Sequence, residues 1–124
     1  MTIKQNPLKS AQNLKDLWSP VILDTIDQYD VKVAKLHGEF LWHCHADHDE
    51  FFYVLSGQLK IEMPEKTITL NKGEMFTVPK GVEHNPSAEQ ECLVLLFENK
   101  NTQHTGETII SGTKSRAEQL RAST

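Results

Sequence analysis

Turn signals recur through the middle of this chain at His37-Gly38, Ser56-Gly57, Asn71-Lys72-Gly73 and Lys80-Gly81. They cut it into short runs rich in β-branched and aromatic side chains, which between such turns read as strands. Strands are expected at 21–24, 29–36, 40–45, 50–56, 58–63, 67–70, 75–78 and 91–98. Many short strands with regular turns restrict the chain to a β-sandwich or barrel. Its 124 residues suit one domain with a modest core.

Two segments within this region carry residues with metal-binding chemistry. From Trp42 to Gly57 the chain reads W-H-C-H-A-D-H-D-E-F-F-Y-V-L-S-G, and from Gly73 to His84 it reads G-E-M-F-T-V-P-K-G-V-E-H. Side chains two apart on a strand share a face, so His43 and His45 aim together and Cys44 aims away. The turn at 46–49 is followed by the strand-like run E-F-F-Y-V-L, and an antiparallel return places Glu50 beside both histidines. His84 arrives from elsewhere, delivered by the Pro79-Lys80-Gly81 corner. Three imidazoles and one carboxylate at these spacings can converge on one divalent ion. Such a set leaves one or two positions open in an octahedral shell, which suits Fe(II), Mn(II) or Ni(II), with Zn(II) as a further choice.

The two segments resemble the paired motifs of the cupin superfamily. The first is His43-x-His45, four residues, Glu50, six residues, Gly57; the second is Gly73, five residues, Pro79-x-Gly81, two residues, His84, with fifteen residues between the motifs. The resemblance implies an all-β jelly-roll barrel (a double-stranded β-helix) over residues 21–98, holding a metal on His43, His45, Glu50 and His84. Within the superfamily the chain is most similar to small single-domain cupins described as mannose-6-phosphate isomerase-like. Arg116 and Arg121 are the only arginines, both beyond the barrel. The barrel thus lacks the guanidinium fork favoured for gripping phosphate, so the isomerase likeness is expected to stop at the fold.

Around the barrel, Asn6-Pro7 suits a helix N-cap and first position. Leu8, Ala11, Leu14, Leu17 and Trp18 then keep helical spacing until Ser19-Pro20. Residues 1–20 are read as an arm with a short helix over 7–18. After Glu98 the chain turns polar, and 99–124 is read as a tail in which Ser115-x-x-Glu118 offers a capping box for a short helix.

Alternation gives each strand two faces. Leu41, His43, His45, Glu50, Phe52 and Val54 are expected to point inward, and Phe40, Trp42, Cys44, Phe51, Tyr53 and Leu55 outward. The apolar outer stripe needs a cover, from the N-terminal helix or from a second subunit in a homodimer.

Formal charge is −4 with no basic block, which argues against nucleic acid or an anionic membrane as partner. No apolar run is long enough to span a membrane, and the start lacks a signal-peptide pattern. Cys44 and Cys92 do not make a disulfide framework, so a reducing cytoplasm is expected. His48, in the turn between the ligand histidines and Glu50, is expected at the pocket rim, where it is the candidate catalytic acid or base. Asp47 and Asp49 read as turn residues that can also support a ligand histidine. His37 and His104 receive no role. The leading expectation is a metal-dependent enzyme on a small polar substrate, of isomerase, lyase, cyclase or dioxygenase type. The rivals are a non-catalytic module that binds or senses a small ligand, and a structural barrel without metal.

Overall fold

A computed structural model describes residues 3–102 and 114–122. Its strands are β1 (Val21–Ile26), β2 (Tyr29–Glu39), β3 (Glu50–Ser56), β4 (Gln58–Glu62), β5 (Thr67–Asn71), β6 (Met75–Val78) and β7 (Asn85–Asn99), flanked by helices α1 (Pro7–Gln12) and α2 (Arg116–Ala122). The strands pair antiparallel in the order β1-β2-β7-β3-β6, and β4 joins β5 to β7. This is the expected all-β jelly roll with a small N-terminal helix.

The long strand β7 organises the barrel. One end pairs with β4 through Lys60↔Ser87 and Glu62↔Asn85. The other runs between β2 and β3, with Lys32↔Leu96 on one side and Glu50↔Glu98 on the other. Inward residues build the main core: Ala34 and Leu36 from β2, Phe52 and Val54 from β3, Cys92, Val94 and Leu96 from β7, all buried. Each fully buried aliphatic side chain of this kind contributes about 1.5–3 kcal/mol. The β3 pattern alternates buried and half-buried from Glu50 to Leu55, as a strand with one face in the core must.

Gly57 closes the β3–β4 hairpin at φ +86, where a Cβ would lie 2.6 Å from the Glu91 carbonyl oxygen. No other residue fits there without moving the backbone.

A smaller cluster lies outside the sheet. Ala11, Val33 and Leu93 are buried, with Leu8, Leu14, Leu23 and Leu55 against them, so α1 covers part of the outer stripe. Its start matches expectation: Asn6 caps it, accepting from the Lys9 N–H at 3.1 Å, and Pro7 opens it. Its end does not. The helix stops at Gln12 rather than continuing to residue 18, because the following chain satisfies its backbone on β2. Leu17 bridges Lys35, and the Trp18 N–H donates to the Lys35 carbonyl at 2.9 Å.

The expected strand at 40–45 is also absent. That segment is irregular, with a single bridge between His43 and His84, and its facing is inverted at the start. Phe40 lines the interior cleft, while Leu41 lies on a surface groove beside Leu17. The register breaks between Leu36 and Gly38, so strict alternation does not carry over from β2.

In the tail the capping box forms as read. The Glu118 N–H donates to Ser115 Oγ at 3.2 Å and the Ser115 N–H to Glu118 Oε1 at 3.1 Å. Helix α2 packs on β1. Arg116 clamps buried Asp30 from Nε at 2.8 Å and Nη2 at 2.9 Å. His104 lies outside the described residues.

Candidate metal centre

The sequence places Glu50 at the first inward position of β3, whereas His43, His45 and His84 sit on loops that hold one another. The His43 and His84 backbones exchange hydrogen bonds at 3.0 and 2.9 Å. The Gly81 N–H donates to the His45 carbonyl at 2.8 Å, and the Lys80 N–H donates to Asp49 Oδ1 at 2.8 Å. Gly81 has φ +78, a conformation that suits glycine and turns the chain toward His84. Four hydrogen bonds thus tie the two sequence motifs together, and Asp49 serves the corner rather than a histidine ring.

All four side chains are buried, and one donor atom from each lies within 4.8 Å of the others. His45 Nε2 and His84 Nε2 stand 3.2 and 3.0 Å from Glu50 Oε1. Donors bonded at about 2.0–2.2 Å to a shared ion at near right angles lie about 3 Å apart. His43 Nδ1 is 3.0 Å from the Leu41 carbonyl, and His84 Nδ1 is 2.9 Å from that of Val82. A carbonyl only accepts, so both Nδ1 atoms carry the proton and both Nε2 lone pairs face the cluster. The donor set therefore fits a divalent ion.

The charges of the cluster act differently on its members. Burial pulls the His43 imidazole down to about 4, against the attraction of Glu50, so it is neutral at ordinary pH. Burial works against protonated His45 too, but the hydrogen bond and charge of Glu50 outweigh it and raise its pKa. Burial would raise Glu50, yet its close contact with the His45 and His84 imidazoles holds it well below the usual carboxylate range. It is an anion ready to ligate.

Sequence reasoning missed a second layer. Glu98 stands opposite Glu50 across the β3–β7 ladder, and Lys32 Nζ lies 3.4 Å from Glu98 Oε1 with both side chains almost wholly buried. Burial raises the Glu98 pKa, Lys32 opposes, and the Glu50 charge adds to the rise. The signal was available in the strand period: Lys32 shares parity with Ala34 and Leu36, and Glu98 with Val94 and Leu96.

His48 is half-buried in the turn and, among the described residues, makes no hydrogen bond to the cluster. Neither Cys44 nor Cys92 forms a disulfide, and burial pushes the Cys92 thiol up to about 12.

A narrow cleft, with about 30 Å³ of room inside, reaches His43 and Glu50 from outside. The rest of its lining is apolar, including Trp18, Phe40 and Phe52. His43 and Glu50 border this space, so a small molecule entering it would meet the cluster.

A family model for the cupin domain matches residues 30–98, which hold every member of the cluster. The chain belongs to the cupin family. An uncharacterized protein of Bacillus subtilis, YdbB, is 31% identical over 104 residues, covering 83% of this cupin and 92% of that protein. Among solved structures, a cupin-2 domain containing protein of Shewanella frigidimarina is 41% identical with a TM-score of 0.74, covering 77% of this chain and 93% of that one. Protein NMB1881 of Neisseria meningitidis is 28% identical with a TM-score of 0.72, covering 78% and 99%.

Proposed function

We propose that this cupin is a metal-dependent enzyme acting on a small oxygen-bearing molecule, with His43, His45, Glu50 and His84 as the ligands. The observation that carries this reading is a buried four-donor cluster whose open side faces a cleft. Closed structural sites bury the ion on all sides, whereas working sites keep a position for substrate. When bound, an Fe, Mn, Ni or Zn ion supplies Lewis-acid polarisation of a substrate oxygen, or a place for O₂ beside it.

The chain's own residues do the remainder. Leu41 and Val82 carbonyls fix the histidine tautomers, Phe52 and Val94 keep the cleft wall dry, and Glu50 sets the charge. His48, half-buried in the turn before Glu50 and outside the cleft lining, is the proposed proton carrier. Isomerase, lyase, cyclase and dioxygenase chemistry are all compatible with these parts. A phosphosugar is the least suited substrate, because Arg116 is engaged by Asp30 and no cation lines the cleft.

A reducing cytoplasmic setting and a homodimer complete the reading. No helix among the described residues is long and apolar enough to cross a membrane. The second reading, a binding or sensing module, is favoured by the absence of any further acid or base in the cleft lining.

Elemental analysis of purified protein is the first test. His45→Ala should lower metal affinity beyond the roughly 10–100-fold typical of losing a supporting residue, while Cys44→Ala leaves it unchanged. Equal losses would show that the ligand assignment is wrong. A substrate panel with Fe(II), Mn(II), Ni(II) and Zn(II) then separates enzyme from binder: ligand binding without any turnover favours the sensor.

A further inference from the structure

Trp18 is held in an unusual way. Its φ is +55, a backbone region that a bulky L-residue rarely occupies. Two hydrogen bonds to β2 impose it: the Trp18 N–H to the Lys35 carbonyl at 2.9 Å, and Nε1–H to the His37 carbonyl at 3.0 Å. The indole stacks on Phe40, with ring centroids 4.8 Å apart and planes 13° from parallel. Phe40 in turn sets its ring edge-on to His43 at 5.4 Å. Strain that surrounding contacts over-determine is a reason to look for a role.

The stacked rings stand between two spaces. On the inner side is the cleft on His43 and Glu50, whose room of about 30 Å³ matches one water's share of the liquid. On the outer side is a surface groove of about 400 Å³, bordered by Asp16, Leu17, Ser19 and Leu41. Trp18 and Phe40 are the residues that line both. While they stay stacked, a molecule larger than a water finds no room beside the cluster. The indole has somewhere to go. Residues 13–20 lie between α1 and β1 and belong to neither. They are anchored by buried Ala11 before them and by buried Val21 after them, and Trp18 itself is only half-buried. Rotation about its side-chain bonds would carry the ring off Phe40 into the outer groove and leave both anchors in place.

We propose that the Trp18–Phe40 stack is the gate of the candidate metal centre, and that Trp18 sets the size of what reaches it. Closed, the gate passes at most a water; open, it joins the outer groove to the cleft and admits the substrate. What the gate guards rests on the metal-dependent reading, whereas the gate itself rests on the two spaces and the rings between them. Opening gives up one stacked pair and one hydrogen bond, which favours the closed form by roughly five- to hundredfold. Entry of a ligand that needs the open form is slowed by the same factor.

Trp18→Gly is the informative variant. It removes the indole, suits the positive φ and keeps the main-chain bond to Lys35, so the arm stays where it is. Azide, a three-atom anion longer than a water, is the first probe, followed by visible absorption on protein loaded with Co(II) as a coloured stand-in for the native ion. Its association in stopped flow should be roughly five- to hundredfold faster in Trp18→Gly than in wild type. Where that variant fails to fold, Trp18→Phe, which keeps a ring but loses the Nε1 bond, should show a rise of roughly two- to tenfold. Equal rates overturn the proposal.

The second arm needs no metal. Diethyl pyrocarbonate acylates imidazole nitrogens and is far larger than a water. In metal-free protein, peptide mapping by mass spectrometry should show buried His43 acylated several-fold faster in Trp18→Gly, with exposed His37 as the internal standard. An unchanged His43 rate overturns the gate. Faster His43 acylation in a protein that takes up no Co(II) would remove the metal reading and support the gate. Co(II) uptake with both probes reacting alike in the two proteins would do the reverse.

Discussion

At the scale of single residues, proton competition governs the cluster. His43 stays neutral down to about pH 4, where burial has put its pKa, so it offers no competing proton under ordinary conditions. His45 does, because Glu50 raises it above 6.5 against the effect of burial. A ligand histidine must be neutral to bind, so metal affinity should fall as pH drops below the raised His45 value, approaching about tenfold per pH unit. Competition titrations with zinc across neutral pH check this. A flat profile would show that His45 carries no proton to lose. Lys32 gives a second case. Lys32→Met leaves Glu98 buried beside Glu50 with no cation, and breaking a buried pair costs about 3–5 kcal/mol. Protonation of Glu98, whose pKa burial already raises, limits that loss. Urea unfolding of metal-free protein should therefore show a marked drop in stability for Lys32→Met and a smaller one for Lys32→Met with Glu98→Gln. The single variant matching wild type would mean that the ion pair contributes nothing. The inward parity of both residues is legible in the sequence. Their meeting is not, because a lysine in a strand normally faces water, and only the adjacency of β2 and β7 brings these two together.

At the scale of elements, local pattern read well where hydrogen bonds stay local. Asn6-Pro7 and Ser115-x-x-Glu118 each satisfy backbone groups within a few residues, and both caps formed. It read poorly where backbone groups find distant partners. Leu14 keeps helical spacing and joins Leu8 and Ala11 on the outer cluster, yet the stretch ending at Trp18 gives its hydrogen bonds to β2 and the helix stops early. The segment holding His43 and His45 likewise trades a strand ladder for exchange with His84 and Gly81. His43, His45, Glu50 and His84 nevertheless come together, because the turn to Glu50 and the Pro79–Gly81 corner bring them there without a regular strand. Helix α2 depends on one contact of this long-range kind. Burial would raise Asp30, but hydrogen bonds from Arg116 and Thr25 and the Arg116 charge lower it. Its folded pKa therefore lies below the unfolded value of 3.8, so the tether is complete above that pH and lost as pH falls through the folded value. Asp30→Asn should cost roughly 1–2 kcal/mol, the lower part of the charged-bond range because Arg116 is 37% exposed. Proteolysis near residues 114–122 should accelerate in the variant. Unchanged protection would mean that Arg116 does not hold the helix.

At the scale of the whole molecule, one sheet separates two apolar clusters, and among the described residues only part of its outer face is covered. Helix α1 shields Val33, Leu93 and Leu55. Toward the other end of the same strands, Phe51 pairs with Phe97 and Tyr53 with Leu95 on outward positions, and Tyr29 stacks on Phe97 at 5.2 Å while 45% exposed. Met75, next to Tyr53 in register, is 57% exposed. Side chains of this size on adjacent strands form a continuous patch, and contiguous exposed apolar surface commonly marks an interface. A second copy is the proposed cover, since a two-fold contact needs only one self-complementary patch. Light scattering at micromolar concentration should then give twice the monomer mass. Phe51→Lys, which puts a charge at the centre of the patch, should halve that mass while metal uptake persists, because Phe51 faces away from Glu50 and the cluster. A wild-type monomer would remove the dimer. A lysine variant that dimerises as before would move the interface elsewhere on the surface.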